Sequence, residues 1–407
     1  MWLIDFLFHR KKNALQSTQS YERYLEDVGA RVRKYQLIAE SEELQVFLKL
    51  KAEVEKEEFQ QKKKIYTQTQ YKDTDEGKKM ARLASLNRKL SVIFYRYLEG
   101  KNPQNTAKLQ QWAQKPTISE YLKLKEETST PEFIKWNAFW KDKNRWMHTK
   151  EGELEQEFIT ASKKPNIQFF YEKENESVRK LLPYQPVFDD DFTWKTLDES
   201  QWQAGFIYPG KEFVRHHSYT QEKQAYAEGL NTTTQDSWLT IKTHKESKNM
   251  LAWDEKNGFI KKDFEYTSDV INNAETFHIQ QGCIVQVKAC VTGKINHCIC
   301  LKDKNKLPIL VLMGVDKKGV FVGLQDNNGL RKARLSQEVN PNKPFIYTIV
   351  WKEKELSWYV NNMLVHQLFT DLPTDELFMQ LYSFIPAEIP AGEGSLKVDW
   401  VRCYVKK

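Results

Sequence analysis

Cysteine is scarce: five residues in 407, an odd number, all lying from Cys283 onward, which excludes a disulfide framework of the secreted kind. Cys298 and Cys300 stand two apart, a spacing that suits neither a zinc knuckle nor a redox Cys-x-x-Cys, so the thiols read as reduced and buried. No apolar run approaches the roughly 20 residues of a membrane-spanning helix. No Gly-rich phosphate loop and no serine-nucleophile elbow occurs. His216-His217 is the only histidine pair, and neighbouring strand residues point to opposite faces, which removes joint metal ligation. Neither a metal nor another cofactor is expected.

A charge excess of one sign is also nearly missing, since the net +7 is the remainder of 62 basic and 55 acidic residues. The densest basic run, Lys62-Lys63-Lys64, sits among Glu and Gln with no RNA-recognition or zinc-finger signature, so it reads as a solvated helix face and no nucleic-acid partner is expected. The opening Trp2-Leu3-Ile4-Asp5-Phe6-Leu7-Phe8 is apolar and Arg10, Lys11 and Lys12 follow it, the reverse of a secretory signal. A cytoplasmic location is therefore expected, with Trp2 to Phe8 either touching a membrane surface or docking on a partner or on the helices behind.

Aromatics are abundant: 12 Trp, 18 Tyr and 22 Phe. From residue 18 to residue 182 Glu, Lys, Gln and Leu dominate and apolar residues recur at helical spacing, as in Tyr21, Tyr24, Leu25, Val28, Val32 and Tyr35. Ser41 offers an N-cap, Thr117 and Glu120 a capping box, and Thr130-Pro131-Glu132 a helix start. This half also repeats itself. Phe47-Leu48-Lys49-Leu50-Lys51 matches Tyr121-Leu122-Lys123-Leu124-Lys125; after one inserted residue Tyr71 matches Trp146, Thr74 Thr149, Gly77 Gly152, Phe94 Phe169 and Glu99 Glu174. Residues 47–99 and 121–174 are thus read as a duplicated helical unit, a helical repeat or coiled-coil arm able to self-associate.

Helical rhythm stops before Pro183 and Pro186, which places a domain boundary near residue 183 and leaves 1–17 as a separate apolar and basic segment. Beyond it the chain reads as alternating strands, among them Trp238-Leu239-Thr240-Ile241-Lys242, Ile284-Val285-Gln286-Val287-Lys288 and Phe345-Ile346-Tyr347-Thr348-Ile349. The expected class is a multidomain α plus β protein with an antiparallel β-sandwich over residues 183–407.

Four segments of this half, in order, resemble glycoside hydrolase family 16. They are Val187-Phe188-Asp189-Asp190-Asp191-Phe192 with Leu197-Asp198 and Trp202; Phe264-Glu265-Tyr266-Thr267-Ser268 leading to Gly282; Trp358-Tyr359-Val360-Asn361-Asn362, with Asn361-Asn362 where Asp-Gly is usual; and Leu396-Lys397-Val398-Asp399-Trp400-Val401-Arg402. The resemblance implies a concanavalin A-like jelly roll whose concave sheet binds polysaccharide. It also implies a Glu-x-Asp-x-(x)-Glu strand, because retaining hydrolysis needs two carboxylates about 5 Å apart. Here that strand falls at Leu307-Pro308-Ile309-Leu310-Val311-Leu312-Met313, which holds no carboxylate in either register. No catalytic residue is assigned. On the preceding strand, where the family carries Glu and Arg, Gln286 and Lys288 are expected to face the cleft, and Trp194, Trp253 and Tyr266 are the candidates for stacking on a sugar.

Three functions follow: a non-catalytic module binding a polysaccharide or a protein, a structural or assembly protein, and a divergent hydrolase with relocated acids.

Overall fold

The computed structural model describes residues 15–101, 106–173, 175–206, 216–273, 277–303, 310–326, 328–370, 372 and 376–406. Residues 2–8, residues 307–309 and Glu174 lie outside them. The described chain divides into a helical unit, Lys34–Asn175, and a sandwich unit formed by the residues up to Arg33 together with those from Glu176 onward. The expected boundary at residue 18 is therefore displaced, because helix α1 (Thr18–Ala39) begins in the sandwich unit and ends in the helical one.

Capping side chains fix the helix starts. Ser41 accepts from Leu44 N–H to open α2 (Glu42–Val54). α3 (Glu57–Gln68), a 3-10 turn (Tyr71–Asp73), α4 (Asp75–Asn87) and α5 (Leu90–Lys101) follow. After α6 (Thr106–Ala113) the same order returns: α7 (Pro116–Thr128), α8 (Pro131–Lys141), a 3-10 turn (Arg145–His148), α9 (Lys150–Ser162) and α10 (Pro165–Tyr171). A short helix α11 (Asn175–Leu181) precedes the first strand. The Thr117–Glu120 capping box is not formed. Lys115 is the N-cap residue, Pro116 takes the first helical position, and Glu120 reaches instead to Arg82 at 2.7 Å.

Two matching loops show why the repeated residues recur. Thr74 Oγ1 accepts from Gly77 N–H and Thr149 Oγ1 from Gly152 N–H, both at 3.0 Å. A Cβ on either glycine would lie 1.9 Å from a backbone carbonyl, that of Tyr71 or of Trp146. The copies pack reciprocally, with α2 against α9 and α7 against α4. Their cores correspond residue for residue: Ile38, Leu44, Phe47 and Ile167 in one, Trp112, Ile118, Tyr121 and Val92 in the other. Each copy thus completes the other's core, and of the two expected forms, helical repeat or coiled-coil arm, this unit has short helices of 7 to 13 residues together with the end of α1.

The sandwich packs two mainly antiparallel sheets, Gln224–Tyr226 alone among the strands named below pairing parallel, with Gly258–Ser268. The larger runs in the order Met363–Phe369, Glu355–Val360, Phe345–Lys352, Ile284–Gly293, Gly394–Lys406, Trp238–Asp254, Gly258–Ser268, Gln224–Tyr226, with Tyr184–Asp190 added beside Gly394–Lys406. The smaller runs Gly329–Arg334, Gly319–Asp326, Leu310–Asp316, Asn296–Asp303, Glu376–Phe384, Val270–Asn272, Gln203–Ala204. Inward residues of both, among them Val287, Ile349, Trp358, Val311, Met313 and Leu381, form the core between them.

The residues that resemble the hydrolase family hold this frame. The buried Asp190 carboxylate accepts from Trp202 Nε1 at 2.7 Å and from Phe192 N–H at 2.9 Å. Asp198 caps the turn that presents Trp202, accepting from Ser200 N–H and Oγ. Ser268 Oγ lies 2.8 Å from Thr243 Oγ1 and donates to the Ser383 carbonyl.

On its outer face the larger sheet is covered by the first turns of α1. Tyr21, fully buried, packs with Tyr24 and Leu25 against Ile284, Ile346, Val350, Tyr359 and Trp400. A bulge opposite Lys288 brings Asp399 and Trp400 to the same face. Lys288 Nζ then lies 2.8 Å from Glu22 and 2.7 Å from Asp399, and Trp400 Nε1 donates to Glu22 at 3.1 Å. Burial pushes the Glu22 carboxyl up, but the hydrogen bonds from Lys288 and Trp400 outweigh it and hold the group below the usual range. At the hairpin Asn361, whose φ is 47°, donates to the Gln16 carbonyl at 2.9 Å, and Gln16 N–H donates to Asn362 Oδ1 at 2.9 Å.

Two predictions follow from this packing. Gly77→Ala and Gly152→Ala should each destabilise the helical unit by about 2 kcal/mol or more through backbone overlap, whereas Gly100→Ala, with no atom within 4 Å, should be neutral or stabilising, as urea denaturation would register. Lys288→Met leaves Glu22 and Asp399 without their cation and should cost roughly 3 kcal/mol at neutral pH. Because the folded pKa of Glu22 lies below the ordinary carboxyl value of 4.5, the Glu22 contribution is complete above that pH and lost as pH falls through the folded value. The gap between wild type and Lys288→Met should accordingly narrow on acidification.

Candidate functional site

The strand aligned with the hydrolytic motif, Leu310–Asp316, lies inside the smaller sheet. Val311 and Met313 point into the core between the sheets. The alternate register therefore sets the outer face. Leu312 occupies it, opposite Cys300 and packed with Cys298, Phe321, Tyr382 and Phe384. Two residues on, Gly314 stands opposite Cys298, and a Cβ there would meet the Phe321 ring at 2.4 Å. The glycine is needed for that ring to lie across the strand.

The floor is closed and apolar. Cys300 is fully buried, and Cys298 and Leu312 nearly so. A hydrogen bond with Cys298, together with burial, holds the Cys300 thiol well above the ordinary thiol range, so it is not a nucleophile. Lys302, further along the same strand, is also buried, and burial draws its ammonium down. Asp316, at the end of the aligned strand, is paired with Arg334. Asp254 is used in a turn, accepting from Lys256 and Asn257 N–H.

One carboxyl near the aromatic end of the sheet is perturbed in the direction an acid catalyst needs. Burial pushes Glu222 up to about 7, with Gln224 Nε2 donating to it at 2.6 Å. The charged group acting on it is Lys262, not a second carboxylate. A single carboxyl is half of what retaining hydrolysis requires. Among the described residues no cluster of three His, Cys, Asp or Glu is placed to hold a metal.

The five residues expected on one ligand face are not brought together. Gln286 and Lys288 lie on the larger sheet, across the core from Leu310–Asp316, where Gln286 meets Thr348 at 3.2 Å and Lys288 is paired beneath α1. Their strand reads as a cleft strand in the sequence because an alternating pattern carries no mark of which sheet it joins. Tyr266 packs with Ile295, Ile385 and Ile389. Trp253 meets Phe259 edge-on at 4.9 Å, and Phe259 leads on to buried His217 and to Phe206. Trp194 is two-thirds exposed. Lys195, the residue that follows it, lines an open cleft of about 990 Å³ together with Glu199, Trp202, His216, Leu230 and Thr234.

Phe321, Tyr382, Phe384 and Glu222 were not singled out from the sequence. Tyr382 and Phe384 end Glu376–Phe384, which is buried without a break from Leu377 to Leu381, and a strand buried on both faces gives no alternation from which its outer residues can be picked.

The chain matches no protein-family model, and no curated protein matches it. Among solved structures, a laminarinase catalytic domain from Thermotoga maritima MSB8 is 20% identical over 55% of this chain and 99% of its own, with a TM-score of 0.44. An endo-beta-1,3-glucanase from Pyrococcus furiosus is 16% identical over 55% of this chain and 94% of its own, at 0.43. SCLam, a non-specific endo-beta-1,3(4)-glucanase from family GH16, is 18% identical over 55% of this chain and 92% of its own, at 0.44.

Proposed function

We propose that the sandwich is a non-catalytic binding module whose ligand is a glycan, taken in the open cleft beside Trp194. The observation that carries the reading is the outward register of the aligned strand, where Leu312 and Gly314 lie under aromatic rings. Carboxylates and a water-filled groove are what hydrolysis demands at that place, and apolar groups favour dry packing instead. The cleft beside Trp194 has the complementary character. It is open, its lining includes the exposed Thr233 and the carboxylate-bearing Glu199, and Lys195 on its rim directly follows the exposed Trp194 in sequence. A sugar ring presents the same mixture of hydroxyls and an apolar face.

The test pairs turnover with binding. The full chain should release no reducing ends from laminarin, agarose, carrageenan or xyloglucan, yet retain at least one ligand on a glycan array. Trp194→Ala should weaken that binding about tenfold through loss of stacking. Turnover abolished by Glu222→Gln would restore the hydrolase reading, and an array without any bound glycan would overturn the assignment of ligand.

A further inference from the structure

The duplication supplies an internal control for every exposed residue of the helical unit. α5 and α10 occupy corresponding places, and Val92 and Ile167 are buried alike. At about 100° per residue, Leu90, Ile93, Phe94 and Tyr97 fall within an arc of about 100° on the side of α5 opposite buried Val92 and Tyr95. Leu90 is 84%, Ile93 48% and Tyr97 59% exposed. The counterparts of these three in the second copy are Pro165, Gln168 and Glu172. The scaffold is thus built equally well with proline and polar groups there, and folding alone does not call for an apolar ridge.

Charge distinguishes the two helices as well. Lys164 is paired with Glu43 at 3.2 Å. At the place of Glu43 the other copy has Thr117, so the counterpart lysine, Lys89, is not offered that carboxylate. Lys89 and Arg96, both exposed, flank the ridge on its Ile93 side. Lys115 Nζ lies 3.3 Å above the ring of Trp112, against which Phe94 packs.

We propose that this ridge of α5 docks on an anionic lipid surface, with Leu90, Ile93 and Tyr97 entering the headgroup layer and Lys89 and Arg96 on the lipid phosphates. A protruding apolar arc bordered by bases has the chemistry of an interfacial helix. An antiparallel second copy is disfavoured as the occupant, because that twofold contact would place Lys89 and Arg96 of both copies on the same side of the ridge.

The full chain would be sedimented with phosphatidylcholine vesicles with and without phosphatidylserine. Binding is expected only with phosphatidylserine, weakening as salt rises and falling about tenfold in Leu90→Ser/Ile93→Ser/Tyr97→Ser. Lys89→Glu/Arg96→Glu, which leaves the apolar residues in place, should lose binding to a similar extent and covers the case in which the triple variant fails to fold. Failure of the wild type to bind would overturn the proposal, as would variants that sediment like it. A concentration-dependent dimer abolished by the triple substitution would also overturn it, by assigning the ridge to a second copy.

Discussion

The ammonium of Lys288 is the constraint around which the sandwich unit is arranged. It stands on the outer face of the larger sheet with its side chain 14% exposed, a position that is costly for an unpaired charge. Asp399 reaches it only because of the bulge in the neighbouring strand, and Glu22 only because α1 lies across that strand. Burial taken alone would lower the Lys288 pKa, and the two carboxylates reverse the sign. Sheet and helix are thereby tied together by electrostatics, and Tyr21 adds apolar contact in the same place. The helix is therefore part of the β unit's own packing and not a separate element resting on it.

This accounts for the residues beneath and beside the helix. Gln286 and Lys288 are both beneath α1: Gln286 is buried against Thr348, and Lys288 binds Glu22. At the hairpin both Asn361 and Asn362 hold the residue that leads into the helix, one donating to the Gln16 carbonyl and the other accepting from its N–H. A glycine at position 362 would have no side chain to accept that bond.

Much of the fold was legible because the resembling residues are structural. Asp190 and Trp202 form a buried hydrogen-bonded pair, Asp198 caps a turn, and Thr267 and Ser268 are buried polar groups whose bonds are satisfied within the sheet region. Such groups cannot drift far without leaving a partner unmade. The duplication was legible for the same reason, since Gly77 and Gly152 each admit a carbonyl where no Cβ fits. The ligand face was not legible. Whether Ile284–Gly293 joins one sheet or the other depends on pairings with Phe345–Lys352 and Gly394–Lys406, more than fifty and a hundred residues away, and nothing within the strand encodes them. The reciprocal packing of the helical copies was hidden likewise, because α2 with α4 and α2 with α9 would show the same amphipathic spacing.

The reciprocal arrangement also bears on how the unit tolerates change. In a linear repeat each copy is buffered by like neighbours, but here Leu44 and Phe47 of the first copy share a core with Ile167 of the second, and Ile118 and Tyr121 of the second share one with Val92 of the first. Neither copy can lose its core without exposing the other's, so the buried positions are constrained in pairs. The outward positions carry no such coupling. That difference is why Pro165, Gln168 and Glu172 can stand where Leu90, Ile93 and Tyr97 stand, with the interior clusters unchanged in kind. Divergence between two copies of one scaffold is thus confined to surfaces, and an apolar surface present in only one of them has its cause outside the fold.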